Sequence, residues 1–229
     1  LDEGELDEWL DLSFKIRQKY AMSEGSMDGD SQLTMLLTRR RKIIETAASK
    51  VAFLESLLNR KSKDELSHSL IYLTGKDPEQ MEQVHEVLQR LGHTYHRVTE
   101  DVTGRPELLK QTITAFREGQ LTFMTAKKVL DEGFNMPEIR RAFILASETT
   151  EKQWVQRRGR VLRQSQGKTH AEIHDFIVLP PSDIEADSET KKLVGGELAR
   201  CEEFTRLARN RTSADGPEIV LNEIRIKYS

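Results

Sequence analysis

From Ser69 to about residue 180, short apolar runs alternate with amphipathic stretches. "SLIYLT" gives way to "DPEQMEQVHEVLQRLG", and "TYHRV" to "RPELLKQTITAFREG". "QLTFMTA", "RAFILAS" and "AEIHDFIVL" follow, separated by more polar segments. Strands alternating with helices of about 10–15 residues predict a parallel sheet covered on both faces, because parallel strands need long crossovers. Asp77 is placed to cap the first of these helices, Pro78 suits its first turn, and Gly92 follows Leu91 at its end.

Upstream, "SQLTMLLTRRRKIIETAASKVAFLESLLNR" has few breakers. Leu33, Leu36, Leu37, Ile43, Ile44, Val51, Leu54, Leu57 and Leu58 recur at helical spacing, which predicts one or two helices. The preceding "MSEGSMDGDS" reads as a loop. Downstream, "SETKKLVGGELARCEEFTRLARN" reads as a helix or helix pair interrupted at Gly195 and Gly196. The pattern divides into a helical extension at residues 1–60, an α/β core at 61–182 and a second helical extension at 183–229.

A chain of 229 residues has room for one sizeable domain with such additions. Charged residues make up 32% of it, yet they nearly cancel to a net charge of -3, so the chain as a whole does not attract a polyanion. Local charge is lopsided: residues 1–11 carry six acids and no base, and residues 152–168 six bases and no acid. Any phosphate-binding surface must therefore be local. The single Cys201 cannot form an internal disulfide, and there is no run of about 20 apolar residues or secretory pattern. A soluble, reducing, cytoplasmic setting away from membranes is expected.

The basic segment is "QWVQRRGRVLRQSQGK", residues 153–168. At about 100° per residue, a helix puts Gln156, Arg160 and Arg163 on one face, with Arg157 on its flank. Trp154, Val155, Val161 and Leu162 fall on the other side, so one face can pack while the other presents guanidiniums. Gly159 costs roughly 1 kcal/mol against Ala inside a helix, which points to a close approach. A solvated basic face and a phosphate-binding array both fit this phase. Anchoring apolar residues and arginine in place of lysine favour the array, since the guanidinium fork matches phosphate oxygens.

A second informative stretch is "TFMTAKKVLDEGFNMPEIRRAFIL", residues 122–145. A buried strand ends at Thr125, a turn carries Gly133 and Asn135, and Pro137 precedes the next strand. In open α/β sheets ligands bind at the carboxyl ends of the strands, where Thr125 and that turn are expected. An ordinary strand-to-strand connection with turn-forming Gly133 and Pro137 is the plainer reading.

Together, "MTAKKVLDEGFNMPEI" followed after 16 residues by "QRRGRVLR" resembles the fifth and sixth motifs of superfamily two helicases and translocases. Those motifs belong to the second RecA-like lobe, and the resemblance extends over residues 69–180, with "LIYLTGK" similar to the fourth motif. "EGFNMPE", "QRRGRVLR" and the basic helix ahead of the lobe look most like the branch of XPB-type repair helicases and restriction helicase subunits. The fold implied is a RecA-like parallel sheet with helices on both faces.

The resemblance implies that Arg160 and Arg163 are arginine fingers reaching the γ-phosphate of an ATP with Mg2+ held mainly by a first lobe. Gln156 would line that cleft, with Gly133 and Asn135 close to the nucleotide. Asn135 stands where many relatives have Asp, which keeps a hydrogen-bonding side chain but removes a charge. Thr74, Arg105 and Thr125 match positions that hold the sugar-phosphate backbone of the strand being tracked. The implied partners are DNA and the first lobe, although the residues themselves do not separate DNA from RNA. In this branch residues 1–60 lie where a helical thumb would be, but their acidic start argues against contact with phosphate.

A G-x-x-x-x-G-K-[ST] loop and an acidic D-E-x-[HD] box are both missing. "LTGKD" at residues 73–77 lacks the upstream glycine and the following Ser or Thr. The chain is therefore expected to be half of an ATPase, inactive alone; a non-catalytic nucleic-acid-binding or partner-regulating module is the alternative. His170, Glu172 and His174 share a face of a strand, but a solvated or cross-strand-paired face is expected rather than a metal site. The "RRRK" at residues 39–42 suits either nucleic acid or solvent.

Overall fold

The computed structural model describes residues 1–22, 30–74, 77–99, 102, 104–126, 136–145, 159, 163–181, 187–214 and 216–228. Among these residues five strands, β1 (Ser69–Tyr72), β2 (Tyr95–Val98), β3 (Phe123–Ala126), β4 (Arg141–Ile144) and β5 (Glu172–Asp175), form one parallel sheet in the order β2-β3-β1-β4-β5. Three helices precede it: α1 (Glu3–Met22), α2 (Ser31–Thr46) and α3 (Ala48–Asn59). Helices α4 (Pro78–Arg90) and α5 (Pro106–Arg117) lie between strands, and α6 (Ser188–Thr205) and α7 (Pro217–Tyr228) follow β5. The predicted α/β core with helical extensions is the observed architecture.

Alternate strand residues serve opposite faces, as the two-residue pleat requires. Ile71, Phe123 and Phe143 pack with Leu54 and Leu58 of α3 and with Met81, Val84 and Leu88 of α4. Leu70, Tyr72, Met124 and Ile144 face Phe116 of α5 and the turn residues Met136 and Ile139. The neighbouring strands β1 and β3 are buried throughout, which explains their mostly apolar character, and the buried hydroxyls of Ser69 and Thr125 bond to Leu66 O and His85.

Local signals set the crossover helix α4. Asp77, in an extended conformation, accepts from the backbone N–H of Glu79 at 3.3 Å, and Gly92 leaves the helix at φ 68°. The long upstream helix breaks at Ala47, where φ -46° and ψ 128° leave helical space. The Glu5 carboxylate on α1 accepts from the Ala48 N–H at 2.8 Å, so a distant side chain caps α3.

Helix α6 differs from expectation by running unbroken through Gly195 and Gly196. Val194, Leu198 and Cys201 of α6 bury against Leu221, Ile224 and Tyr228 of α7. Burying such side chains contributes more than the roughly 1 kcal/mol that each helical glycine costs.

The two ends of the chain pack together. Trp9, Leu12, Ile43 and Ile44 join α1 to α2, with Val178 and Leu193 packed against them. The buried Arg40 donates to both oxygens of Asp187 at 2.8 and 3.3 Å and to Ser13 at 3.2 Å, and lies 5.0 Å over the Trp9 ring. Asp187 also caps α6 by accepting from the Thr190 N–H at 2.7 Å. Burial opposes ionisation of Asp187, but the bonds from Arg40 and Thr190 prevail and hold its pKa below the usual range.

Candidate functional site

Thr74, Arg105 and Thr125 lie at the carboxyl edge of the sheet. Ile71 pairs with Thr125 and Tyr72 with Ala126, and the Leu73 N–H donates to the Ala126 carbonyl at 2.9 Å. Thr74 therefore leaves β1 just past the last ladder bond, beside the end of β3, and is buried. Arg105 sits at the start of α5, exposed, with no side-chain bond into the helix end.

Thr125 is fully buried, its hydroxyl 2.8 Å from His85 Nε2. The His85 ring stacks on Tyr95 at 4.7 Å. Burial lowers the His85 pKa, with Glu82 opposing and Arg97 adding to the effect, so the ring is neutral near pH 7. The sequence reading did not single out His85. Its signal is a polar residue at i+4 from Met81 and i-3 from Leu88, on the buried face of α4.

The backbone of Arg163 lies at the opposite, amino edge. Arg141 of β4 pairs in register with Glu172 of β5, and Pro137 and Lys168 each stand four residues ahead of those partners. Met136 and Ile139 are buried and fix the turn between them, with the Ile139 N–H donating to Met136 O at 3.3 Å. Across the gap, Lys168 Nζ donates to the Pro137 carbonyl at 3.2 Å and to the Arg163 carbonyl at 2.9 Å. Burial and the nearby Arg140 push the Lys168 pKa down to about 8, with Glu138 opposing. The side chain of Arg163 is exposed.

Gln156, Arg160, Gly133 and Asn135 lie outside the described residues, as do Trp154, Val155 and Leu162. Gly159 is exposed, and a Cβ built on it meets nothing within 4 Å among the described residues. The close approach expected there has no described neighbour.

The face of β5 is paired. Arg141 holds Glu172 through bonds of 2.9 and 2.8 Å, Lys61 adds one of 3.2 Å, and His174 stacks on Phe143. Burial opposes, but these bonds pull the Glu172 pKa down to about 2. Among the described residues no group of three or more ligands could hold a metal ion. In "RRRK", Arg39 pairs with Glu8, Arg40 with Asp187 and Arg41 with Glu45, so three of these cations bind the chain's own acids. Cys201 donates to Asp175 at 3.3 Å, and burial pushes its thiol pKa up, which leaves it unreactive. Among the described residues no helix is long and apolar enough to cross a membrane.

Residues 49–165 match the family model of the helicase conserved C-terminal domain. The chain belongs to that family. It is thus a C-terminal RecA-like lobe of the superfamily two helicases, and the matched stretch spans all the candidate residues from Thr74 to Arg163. A structure of the C-terminal domain of the DEAD-box protein Dbp5 is 16% identical, covers 80% of this chain and 93% of that one, and has a TM-score of 0.52. A longer S. cerevisiae Dbp5 bound to Gle1 and IP6 is also 16% identical, with a TM-score of 0.50 over 79% of this chain and 43% of that one. At this identity the likeness shows the fold alone. No curated protein sequence matches the chain.

Proposed function

We infer that this helicase C-terminal domain is the second motor lobe of an ATP-dependent DNA helicase or translocase. Arg160 and Arg163 supply positive charge to the γ-phosphate of an ATP-Mg2+ held by a first lobe, with Gln156, Gly133 and Asn135 lining the same cleft. Phosphoryl transfer to water needs such charge placed on the developing γ-phosphate, and a finger from a second body makes hydrolysis depend on closure. The exposed guanidinium of Arg163, on a backbone tied through its carbonyl to Lys168, suits that task.

At the other edge, Arg105 and Thr74 grip the sugar-phosphate backbone without reading sequence. Thr125 contributes by shaping the end of β3, because its hydroxyl is committed to His85. "EGFNMPE" and "QRRGRVLR" support placement in the XPB-type and restriction branch, hence DNA as substrate, with repair or restriction as the setting. The buried lone thiol accords with a reducing cytoplasm.

The observation that carries the reading is the family match over residues 49–165, which encloses both motif segments. In an enzyme joining this lobe to its first lobe, Arg163→Ala lowers nucleic-acid-stimulated kcat by roughly 10³-fold while ATP binding changes far less. A loss below about tenfold removes the finger assignment. The 229-residue chain alone is expected to show no nucleic-acid-stimulated turnover, and robust turnover would refute the reading of the chain as half of an ATPase.

A further inference from the structure

Arg163 in the finger segment and Pro137 in the turn ahead of β4 are 26 residues apart in sequence, and the Lys168 side chain joins them. Lys168 Nζ reaches the carbonyls of Pro137 and Arg163 at 3.2 and 2.9 Å. The Pro137 turn is immobilised by the buried Met136 and Ile139, which pack into the core on the α5 face of the sheet. Lys168 itself is placed by a tight turn in which Gly167 adopts φ 74° and the Lys168 N–H returns to Ser165 O at 3.1 Å. The ammonium thus ties the exposed end of the arginine segment to a rigid point of the core.

We propose that Lys168 is a positioning residue for the Arg163 finger: its ammonium clamps the Arg163 carbonyl to the Pro137 turn and so sets where the Arg163 guanidinium stands. This inference rests on the finger reading of Arg163 given above. A charged donor suits two carbonyl acceptors, since charge-assisted bonds are roughly twice as strong as neutral ones. Burial, with Arg140 adding to it, outweighs the pull of Glu138 and makes the charge titratable near neutrality. Among the described residues, the charged groups acting on it are Arg140, which disfavours the ammonium, and Glu138, which favours it while paired with Arg117 at 2.7 Å.

The test compares wild type, Lys168→Met, Lys168→Arg and Arg163→Ala in the enzyme that joins this lobe to its first lobe, by steady-state ATPase assay from pH 6.5 to about 9.5. Lys168→Met lowers kcat about 10–100-fold, the loss expected from a misplaced catalytic group, and leaves KM for ATP within about threefold. Lys168→Arg keeps a charged donor and restores kcat to within about threefold. Wild-type kcat declines as pH rises through about 8, where the ammonium is lost, whereas Lys168→Arg holds its rate.

A second readout uses the 229-residue chain alone. Read by mass spectrometry, an arginine-specific protease cuts the Arg163–Gln164 bond faster in Lys168→Met than in wild type, and Lys168→Arg restores protection of that bond although it adds a cleavage site at residue 168. If Arg163→Ala is crippling while Lys168→Met matches wild type at all pH values, the positioning role is overturned and the finger stands. If Arg163→Ala is itself silent, the finger reading fails, and the protease readout still decides whether Lys168 holds the segment. Should Lys168→Met fail to fold, the pH profiles of wild type and Lys168→Arg decide alone: coincident profiles overturn the proposal.

Discussion

The link between the two ends of the chain gives the most quantitative prediction. Arg40 has only 2% of its side chain exposed, whereas its partner Asp187 keeps 23%. Asp187→Asn keeps a capping side chain for α6 but strands a buried guanidinium on Ser13 and the Trp9 ring. Removing one partner of a buried pair costs about 3–5 kcal/mol, and the partial exposure of Asp187 brings the expected loss to roughly 2–4 kcal/mol. Arg40→Met leaves instead a carboxylate that water reaches and the Thr190 N–H still holds, so about 1–2 kcal/mol is expected. The double variant removes both charges and should lose less than the sum, with a coupling of roughly 1–3 kcal/mol. Urea unfolding at pH 7, followed by far-ultraviolet circular dichroism, measures all four corners of the cycle. For a chain of this size, Asp187→Asn should also lower Tm by about 5–15 °C. A coupling below about 0.5 kcal/mol would show that the pair does not hold the extensions together.

Two further outcomes follow from single contacts. Thr125→Val leaves His85 Nε2 buried without its partner and should cost about 1–3 kcal/mol in thermal unfolding, while Thr125→Ser, which keeps the hydroxyl, should cost much less; equal losses would show that the hydrogen bond is immaterial. The depressed pKa of Glu172, about 2 against an ordinary carboxyl, stabilises the fold above roughly pH 4.5. That stabilisation is lost as pH falls towards 2. Glu172→Gln should therefore flatten the acid limb of the stability–pH curve by roughly 1–2 kcal/mol, and an unchanged limb would dismiss the Arg141–Lys61–Glu172 cluster as its source.

What the sequence showed and hid follows from the range of each signal. The strands and the α4 caps were legible because their determinants lie within a few residues: apolar runs of β1 and β3, Asp77 and Gly92 around α4. The break at Ala47 carries no glycine or proline, and the cap on Ala48 comes from Glu5, 43 residues away. The glycine pair in α6 misled for the converse reason, since a local weakness was outweighed by packing against α7. At the site, helical phase gives only an expectation for the arginines, since Gln156 and Arg160 lie outside the described residues, and it could not show that Lys168 and Pro137 meet. That meeting depends on the pairing of β4 with β5, which puts the two residues at equal distances ahead of a shared register. His85 and Thr125, 40 residues apart, likewise meet only through the folded sheet.

Lys50 extends the same reasoning to a pH dependence whose sign is unusual. Its buried ammonium donates to the Leu145 carbonyl at 2.6 Å and the Glu45 carbonyl at 3.3 Å, so it binds the end of α2 to the carboxyl edge of β4. Burial lowers its pKa from 10.5 to about 8, although Glu197, Asp175 and Glu45 favour the charge. Between about pH 8 and 10.5 the folded state binds fewer protons than the unfolded chain, so Lys50 makes stability rise with pH there, by at most about 1.4 kcal/mol per unit. The buried Cys201 thiol and the Tyr20 hydroxyl, whose pKa is pushed up to about 12, act in the opposite direction above about pH 9. The total curve therefore does not isolate Lys50, but its difference from Lys50→Met does, because Cys201 and Tyr20 are common to both proteins. Lys50→Met should be less stable at pH 7, having left the Leu145 carbonyl without this donor. Relative to it, the wild type should gain roughly 1–3 kcal/mol between pH 8 and 10, read from urea midpoints. Parallel curves would mean that the amine is as easily protonated in the folded chain as in the unfolded one, and would remove Lys50 from the interior of this edge.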